Sequence, residues 1–421
     1  MAAKTGVVVF EGGGRDWPPP SPGDPRALLA EVRHWVTLDT LEKFLARPEV
    51  GVAVLATDSD RLRTDATRSG AEIYATGPGF HFGRVLSEVT TAYGLDRLIF
   101  LGGGSVPLLT PPELDFVVAT TVAGGPLFVT NNVQSPDIIG LGDARAVAAL
   151  SELKTDNAAL LALVESGLKR VLLPETATTS FDLDTPSDVL FLAHEVRRIM
   201  RSRVPSTDPW GLGPRCRAGL ASTEVDVSAI ERAASVLARG DYPSVTLVGR
   251  VSGTMMCYLN ANFLVRLRVF SEERGMKALG RIERNEVRSL LGSVAEGLGV
   301  ERLVSLLSTL SDAVFWDTRV IMAHLARWPD EADRFESDLG RWARVRDPQL
   351  RRLGRAVSKA DRPFVLGGHS VVSGGLRLLA RGLLQDCSEP RAGLSDKTAP
   401  GEQPFPQHGR PSSPQEDNPG A

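Results

Sequence analysis

Asp182 and Asp184 stand two residues apart in Phe181-Asp182-Leu183-Asp184-Thr185-Pro186-Ser187-Asp188. On an extended segment, side chains two apart share a face, so this pair could hold a hard cation such as Mg²⁺ or Mn²⁺. The alternative is that Asp184 caps the helix that follows while Asp182 is solvated. Far upstream, Glu11-Gly12-Gly13-Gly14-Arg15 offers backbone N–H groups that can approach a phosphate closely, with Arg15 to offset its charge. A second glycine loop, Gly102-Gly103-Gly104-Ser105-Val106-Pro107, also leaves the end of a predicted parallel strand, where α/β sheets place their ligands. Asn131-Asn132-Val133-Gln134-Ser135-Pro136-Asp137 is dense in hydrogen-bonding groups. It suits recognition of a base or acceptor, with Asn132 the candidate, unless it is only a self-bonded turn.

These loops need strands to hold them. Gly6–Phe10, Val50–Ala56, Glu72–Ala75, Arg97–Leu101, Pro126–Thr130 and Lys169–Leu173 read as strands, and amphipathic stretches between them read as helices. That alternation predicts an α/β domain with a mostly parallel sheet, whose ligands lie at the carboxyl ends of the strands. A helix over residues 156–166 is expected to turn Leu160, Leu161 and Val164 inward, with Asp156 as its cap. Thr185-Pro186-Ser187-Asp188 is the clearest helix start, with Asp188 where a capping-box acid belongs. Val189, Leu192, Val196 and Ile199 then give a core-facing stripe.

The chain has 421 residues and a formal net charge of −3. Near-neutrality argues against a protein that works by neutralising nucleic-acid phosphates. The three cysteines have no disulfide or zinc spacing, no apolar run suits a membrane span, and the N-terminus is wrong for secretion. The expectation is a cytoplasmic protein with no nucleic-acid or membrane partner, of open oligomeric state. Residues 1–200 read as the first domain, 201–223 as a linker, 224–386 as a second, helix-rich α/β domain, and 387–421 as a disordered tail.

In the second domain Val245–Val248, Leu264–Phe270 and Pro363–Leu366 read as strands, and helices are expected from about 286 to 353. Three strand ends there are polar and glycine-bearing: Gly249-Arg250, Ser271-Glu272-Glu273-Arg274-Gly275 and Gly367-Gly368-His369-Ser370. They could build a crevice for an anionic acceptor through Arg250 and Arg274, unless they are ordinary turns. Phe315-Trp316-Asp317-Thr318-Arg319 adds a candidate Asp–Arg pair. His369 and Ser370 are adjacent and seldom could face one another, so they do not read as a hydrolase pair.

The ordered set of a glycine-rich loop, Gly102-Gly103-Gly104-Ser105-Val106-Pro107-Leu108-Leu109-Thr110, and Phe181-Asp182-Leu183-Asp184-Thr185-Pro186-Ser187-Asp188-Val189 resembles the MobA-like nucleotidyltransferases over residues 5–200. That superfamily includes molybdenum-cofactor and phospholactate guanylyltransferases. The resemblance implies a GT-A-like, Rossmann-type αβα sandwich that binds a nucleoside triphosphate, GTP favoured, with Mg²⁺ or Mn²⁺. The implied reaction passes a nucleoside monophosphate to a small phosphorylated or hydroxyl acceptor and releases pyrophosphate. By the same resemblance Gly12, Gly13 and Gly14 would line the nucleotide, and Asp184, with Asp182 beside it, would be the carboxylate at the metal; Ser105 and Asn132 are further candidates for the nucleotide, and Asp184 with Arg15 for catalysis. Gly104 stands where an aspartate is usual, and Arg15-Asp16-Trp17 where a phosphate lysine is expected. Asp58 or Asp137 is then the substitute acid, or the chain is a non-catalytic nucleotide or metabolite sensor.

Overall fold

The computed structural model describes residues 3–12, 23–133, 135–201 and 210–386. Its first sheet has seven strands: β1 (Thr5–Phe10), β2 (Val52–Thr57), β3 (Glu72–Ala75), β4 (Arg97–Gly102), β5 (Leu127–Thr130), β6 (Ile138–Leu141) and β7 (Lys169–Leu172). Their order is β3-β2-β1-β4-β6-β5-β7, and only β6 runs antiparallel to its neighbours. Val7, Val8 and Val9 are wholly buried because β1 lies inside the sheet with helices on both faces. Val7, Val9, Leu55 and Leu101 pack against Leu38, Leu41 and Phe44 of the helix Pro25–Leu45. Val8, Val54 and Phe100 pack on the other face against Phe82, Leu86 and Val89 of the helix Phe82–Ala92. The αβα sandwich with a mostly parallel sheet expected from the sequence is therefore present.

Register decides where a ligand can sit. Phe10 lies beside both Ala56 and Gly102, so β1, β2 and β4 end level with one another. The chain leaves β1 toward β2 on one side and finds β4 on the other, which opens a crevice beyond Phe10 and Gly102.

A second sheet contains β8 (Ser244–Gly249), β9 (Arg266–Ser271), β10 (Ala313–Asp317) and β11 (Phe364–Gly367), all parallel, in the order β11-β10-β8-β9. Its own reversal of strand order falls between β8 and β10. The helix Pro186–Arg201 joins the two sheets. Val189, Phe191 and Leu192 share one apolar core with Leu237, Leu247, Phe315 and Leu379. Contact is close at the strand ends. A Cβ on Gly374 would lie 2.2 Å from the Ser180 carbonyl oxygen, and one on Gly367 would lie 2.3 Å from Ser187 Oγ.

Several expectations change. Within residues 156–166 it is Ala159, Leu160 and Leu163 that face inward, while Leu161 is 57% and Val164 44% exposed. Thr155, not Asp156, takes the cap position there. The stretch 286–353 is not all helix, because β10 crosses it. Part of the stretch read as linker is the helix Pro214–Ser222, with Cys216 and Leu220 buried. The stretch read as a disordered tail lies outside the described residues.

Candidate active site

Glu11, the first residue after β1, is buried and faces Arg33 from the third turn of the helix Pro25–Leu45. Arg33 grips it with both ends of its fork, Nη2 to Oε2 at 2.7 Å and Nε to Oε1 at 3.0 Å. Its Nη1 donates to the Leu183 carbonyl at 2.8 Å and lies 4.0 Å from Asp184 Oδ1. Burial opposes the charge on Arg33, but the Glu11 carboxylate, with Asp184 and Asp182 beyond, holds it firmly cationic. This pair explains two glycines. A Cβ on Gly103 would fall 2.4 Å from Glu11 Oε2, and one on Gly104 would fall 2.8 Å from Arg33 Nη1. At Gly104 the chain makes room for a guanidinium.

The segment 181–188 is pinned by Leu183 N–H donating to the Gly104 carbonyl at 3.1 Å and by Leu183 packing in the core. Asp182 is half-buried, and the Asp184 side chain is 74% exposed. Neither caps the helix Pro186–Arg201. Asp188 does, accepting from Thr185 N–H at 2.6 Å, Asp184 N–H at 2.9 Å and Thr185 Oγ1 at 3.0 Å. Burial, then the Asp184 charge, pushes Asp188 up to about 7 against those hydrogen bonds. Its other oxygen, Oδ1, is buried with no hydrogen-bond partner.

Asp137 reaches the same place from the turn between β5 and β6. Asn131 builds that turn, donating from Nδ2 to Asp137 Oδ2 at 2.6 Å and to the Thr179 carbonyl at 2.8 Å. Its Oδ1 accepts from Asp137 N–H at 3.0 Å. Burial pushes the Asp137 carboxyl up to about 7, with Asn131 opposing and Asp184 and Asp156 adding repulsion. Burial also raises Asp182 well above the ordinary carboxylate range, followed by repulsion from Asp184 and Asp137. Asp156 is raised by burial too, with Lys277 of the second sheet opposing.

Asp182, Asp184 and Asp137 thus act on one another here, with Arg33 opposing at Asp182. Mutual repulsion of this kind favours the approach of positive charge.

Of the residues singled out from the sequence, Asp182 and Asp184 share this cleft with exposed Gly12 and with Ser105, whose N–H donates to the Gly102 carbonyl at 3.1 Å. Asn132 is half-buried, and its Oδ1 accepts from Ser135 N–H at 3.4 Å. Gly13, Gly14 and Arg15 lie outside the described residues. Of the two acids weighed as the substitute, Asp137 acts on Asp182 directly. The sequence reasoning missed Arg33, the buried oxygen of Asp188, and the role of Asn131. Only Asn131 left a local signal, the polar turn already singled out. In the second sheet the expected Asp317–Arg319 pair is not formed. Asp317 binds Arg250, with Nε to Oδ2 at 2.6 Å, while Arg319 Nη1 binds Asp338 Oδ1 at 2.8 Å. Arg319 points to Asp338 because Asp317 Oδ1 is occupied by the Arg319 backbone N–H, at 3.2 Å, as a helix cap.

Neither protein-family models nor curated proteins match this sequence. Among solved structures, a CMP:2-keto-3-deoxy-manno-octonic acid synthetase complexed with CTP aligns at 17% identity and a TM-score of 0.35, over 48% of this chain and 100% of that one. A cytidylyltransferase from Leptospira borgpetersenii aligns at 16% identity and 0.36, over 52% and 92%. A manganese-bound protein from Mycobacterium tuberculosis aligns at 17% and 0.29, over 44% and 95%. Likenesses at this level carry no functional assignment for this chain. Among the described residues, no helix is long and apolar enough to cross a membrane.

Proposed function

We propose that the cleft beyond β1 and β4 binds a nucleoside triphosphate with a divalent cation and transfers the nucleoside monophosphate to a small acceptor. The observation that carries this reading is the convergence of Asp182, Asp184 and Asp137 at the strand ends beside the Glu11-Gly12 loop. Among the described residues, no three His, Cys, Asp or Glu side chains form a metal-holding group. Asp182 would therefore hold the cation with Asp184 or Asp137, and triphosphate oxygens would complete its shell, as Mg²⁺ prefers. Bound there, the cation would supply charge neutralisation at the phosphates.

The chain's own residues do the positioning. The Gly12 backbone can lie against a phosphate because no side chain intervenes. Arg33 fixes Leu183, and with it both flanking aspartates. Asn131 orients Asp137. In the reaction an acceptor oxygen forms a bond to the α-phosphorus while the bond to the departing pyrophosphate breaks. Such a transfer needs geometry and charge stabilisation more than a covalent protein group.

The test is pyrophosphate release with GTP, which the motif resemblance favours, and with CTP, ATP and UTP, over a panel of phosphorylated and hydroxyl acceptors. Turnover abolished in Asp184→Asn supports the reading. Nucleotide binding indifferent to Asp184→Asn and Asp182→Asn sinks it. One observation favours a non-catalytic sensor instead: the Arg33 guanidinium fills the space at Gly104 where the motif's relatives place an acid. Tight nucleotide binding with no turnover on any acceptor would select that second reading.

A further inference from the structure

The strand ends of the second sheet carry arginines as well as acids, and they meet the first face where Gly368 lies against Thr185. Gly249 ends β8 with φ +114, and a Cβ there would fall 2.6 Å from Asp317 Cβ, so this close approach requires glycine. Asp317 is wholly buried and uses both oxygens on Arg250, Oδ1 accepting from Nη2 at 3.2 Å. That fixes the Arg250 guanidinium at the reversal of strand order between β8 and β10, the place where parallel sheets bind ligands. Beside it, the His369 ring keeps solvent access at the end of β11 and donates from Nε2 to the Arg250 carbonyl at 3.1 Å. The surrounding protein, with the Arg250 and Arg274 charges, pushes His369 down to about 4 against Asp317, so it is neutral at physiological pH. Arg274 leaves the end of β9 beside Arg250, because Glu272 N–H donates to the Gly249 carbonyl at 2.9 Å and Ser271 Oγ to the Val251 carbonyl at 2.8 Å.

The acids next to Arg274 are spent elsewhere. Glu272 accepts from Ser289 Oγ and Leu290 N–H, both at 2.6 Å, and Glu273 pairs with Arg281 at 2.8 Å. Glu273 takes φ +56, uncommon for a residue with a side chain, to make that turn. Arg274 and Lys277 are exposed and have no hydrogen-bond or ion-pair partner among the described residues. Lys277 nevertheless acts on Asp156, which faces Asp184. The two faces are also in contact, since a Cβ on Gly368 would lie 3.0 Å from Thr185 Cγ2. Acids on one wall and unspent cations on the other make a cleft with two poles.

We infer that Arg274 and Lys277, backed by the anchored Arg250, form a second subsite that binds the phosphate group of the acceptor. This rests on the nucleotidyltransferase reading and narrows it, from phosphorylated or hydroxyl acceptors to phosphate-bearing ones.

The experiment is calorimetric titration of the full chain with inorganic phosphate, without nucleotide or metal and again with saturating nucleotide and Mn²⁺. The expected result is binding to the wild type in both conditions, weakened about tenfold by Arg274→Ala or Lys277→Ala. Thermal melting of the two exposed-site variants should match the wild type. Phosphate binding equal in wild type and in the Arg274→Ala/Lys277→Ala double variant overturns the subsite, even where nucleotide binding is intact. Conversely, loss of nucleotide binding alone, with Arg274-dependent phosphate binding retained, overturns the transferase reading and leaves the anion site standing.

Discussion

The two strand-end faces follow one architectural rule and resolve their charges in opposite ways. At the first, burial and the Asp184 charge push Asp137, Asp182 and Asp188 up, with Arg33 opposing at Asp182. At the second, burial opposes the charge on Asp317, but Arg250, with smaller help from His369 and Arg319, holds that carboxyl below the ordinary range. The difference separates structure from function. A charge paired inside the protein stabilises the fold and is spent, whereas a surplus left unpaired costs stability and is available to a ligand.

The widest gap should appear in activity. Replacing Asp182 or Asp184 by Asn should lower pyrophosphate release by about 10²–10³-fold, the range typical of removing one charge-stabilising group, with the melting temperature almost unmoved. Steady-state kinetics beside calorimetric melting checks both halves, and a variant that merely unfolds would break the contrast.

Stability should respond in reverse at the second face. Asp317→Ala strands the half-buried Arg250 without its partner and should cost about 3–5 kcal/mol in urea unfolding, as for other broken buried pairs. Asp184→Asn should cost almost nothing, since its side chain is largely exposed. Equal losses would erase the distinction between spent and available charge.

A smaller effect sharpens the comparison through pH. Asp137 is raised from its ordinary 3.8 to about 7, so between those values the native state keeps a proton that the unfolded chain has lost. Metal-free stability should therefore fall as pH rises through that window. Cation binding needs the ionised carboxylates, so the melting-temperature gain from added Mn²⁺ should be larger at pH 7.5 than at pH 5.5. A gain independent of pH would remove the raised carboxylates from the cation site. Asp317, held low by Arg250, should add nothing to that dependence.

Much of the scaffold could be read in advance because its signals are short-range. The run Val7-Val8-Val9-Phe10 and the Thr185-Pro186-Ser187-Asp188 helix start involve neighbours within four residues. Failures came where the local signal is ambiguous. Ala313-Val314-Phe315-Trp316-Asp317 is an apolar run between helices, and such a run suits either element until its partners β8 and β11 claim it. Ile138–Leu141 contains Gly140, a weak strand residue, yet a Cβ there would fall 2.2 Å from Thr121 Oγ1, so the packing demands it. Leu161 and Val164 fit a helical stripe that the fold rotated outward.

The amino-acid order determined which loops leave strand ends, which of them are rich in glycine, and that two aspartates flank Leu183 on an extended segment. Only the folded chain decided that Asp137 acts on Asp182 and that Arg33 reaches Glu11. The reason is one of range: turns, caps and alternation depend on residues close along the backbone, while electrostatic force depends on separation in space, which the packing of two sheets around the helix Pro186–Arg201 sets.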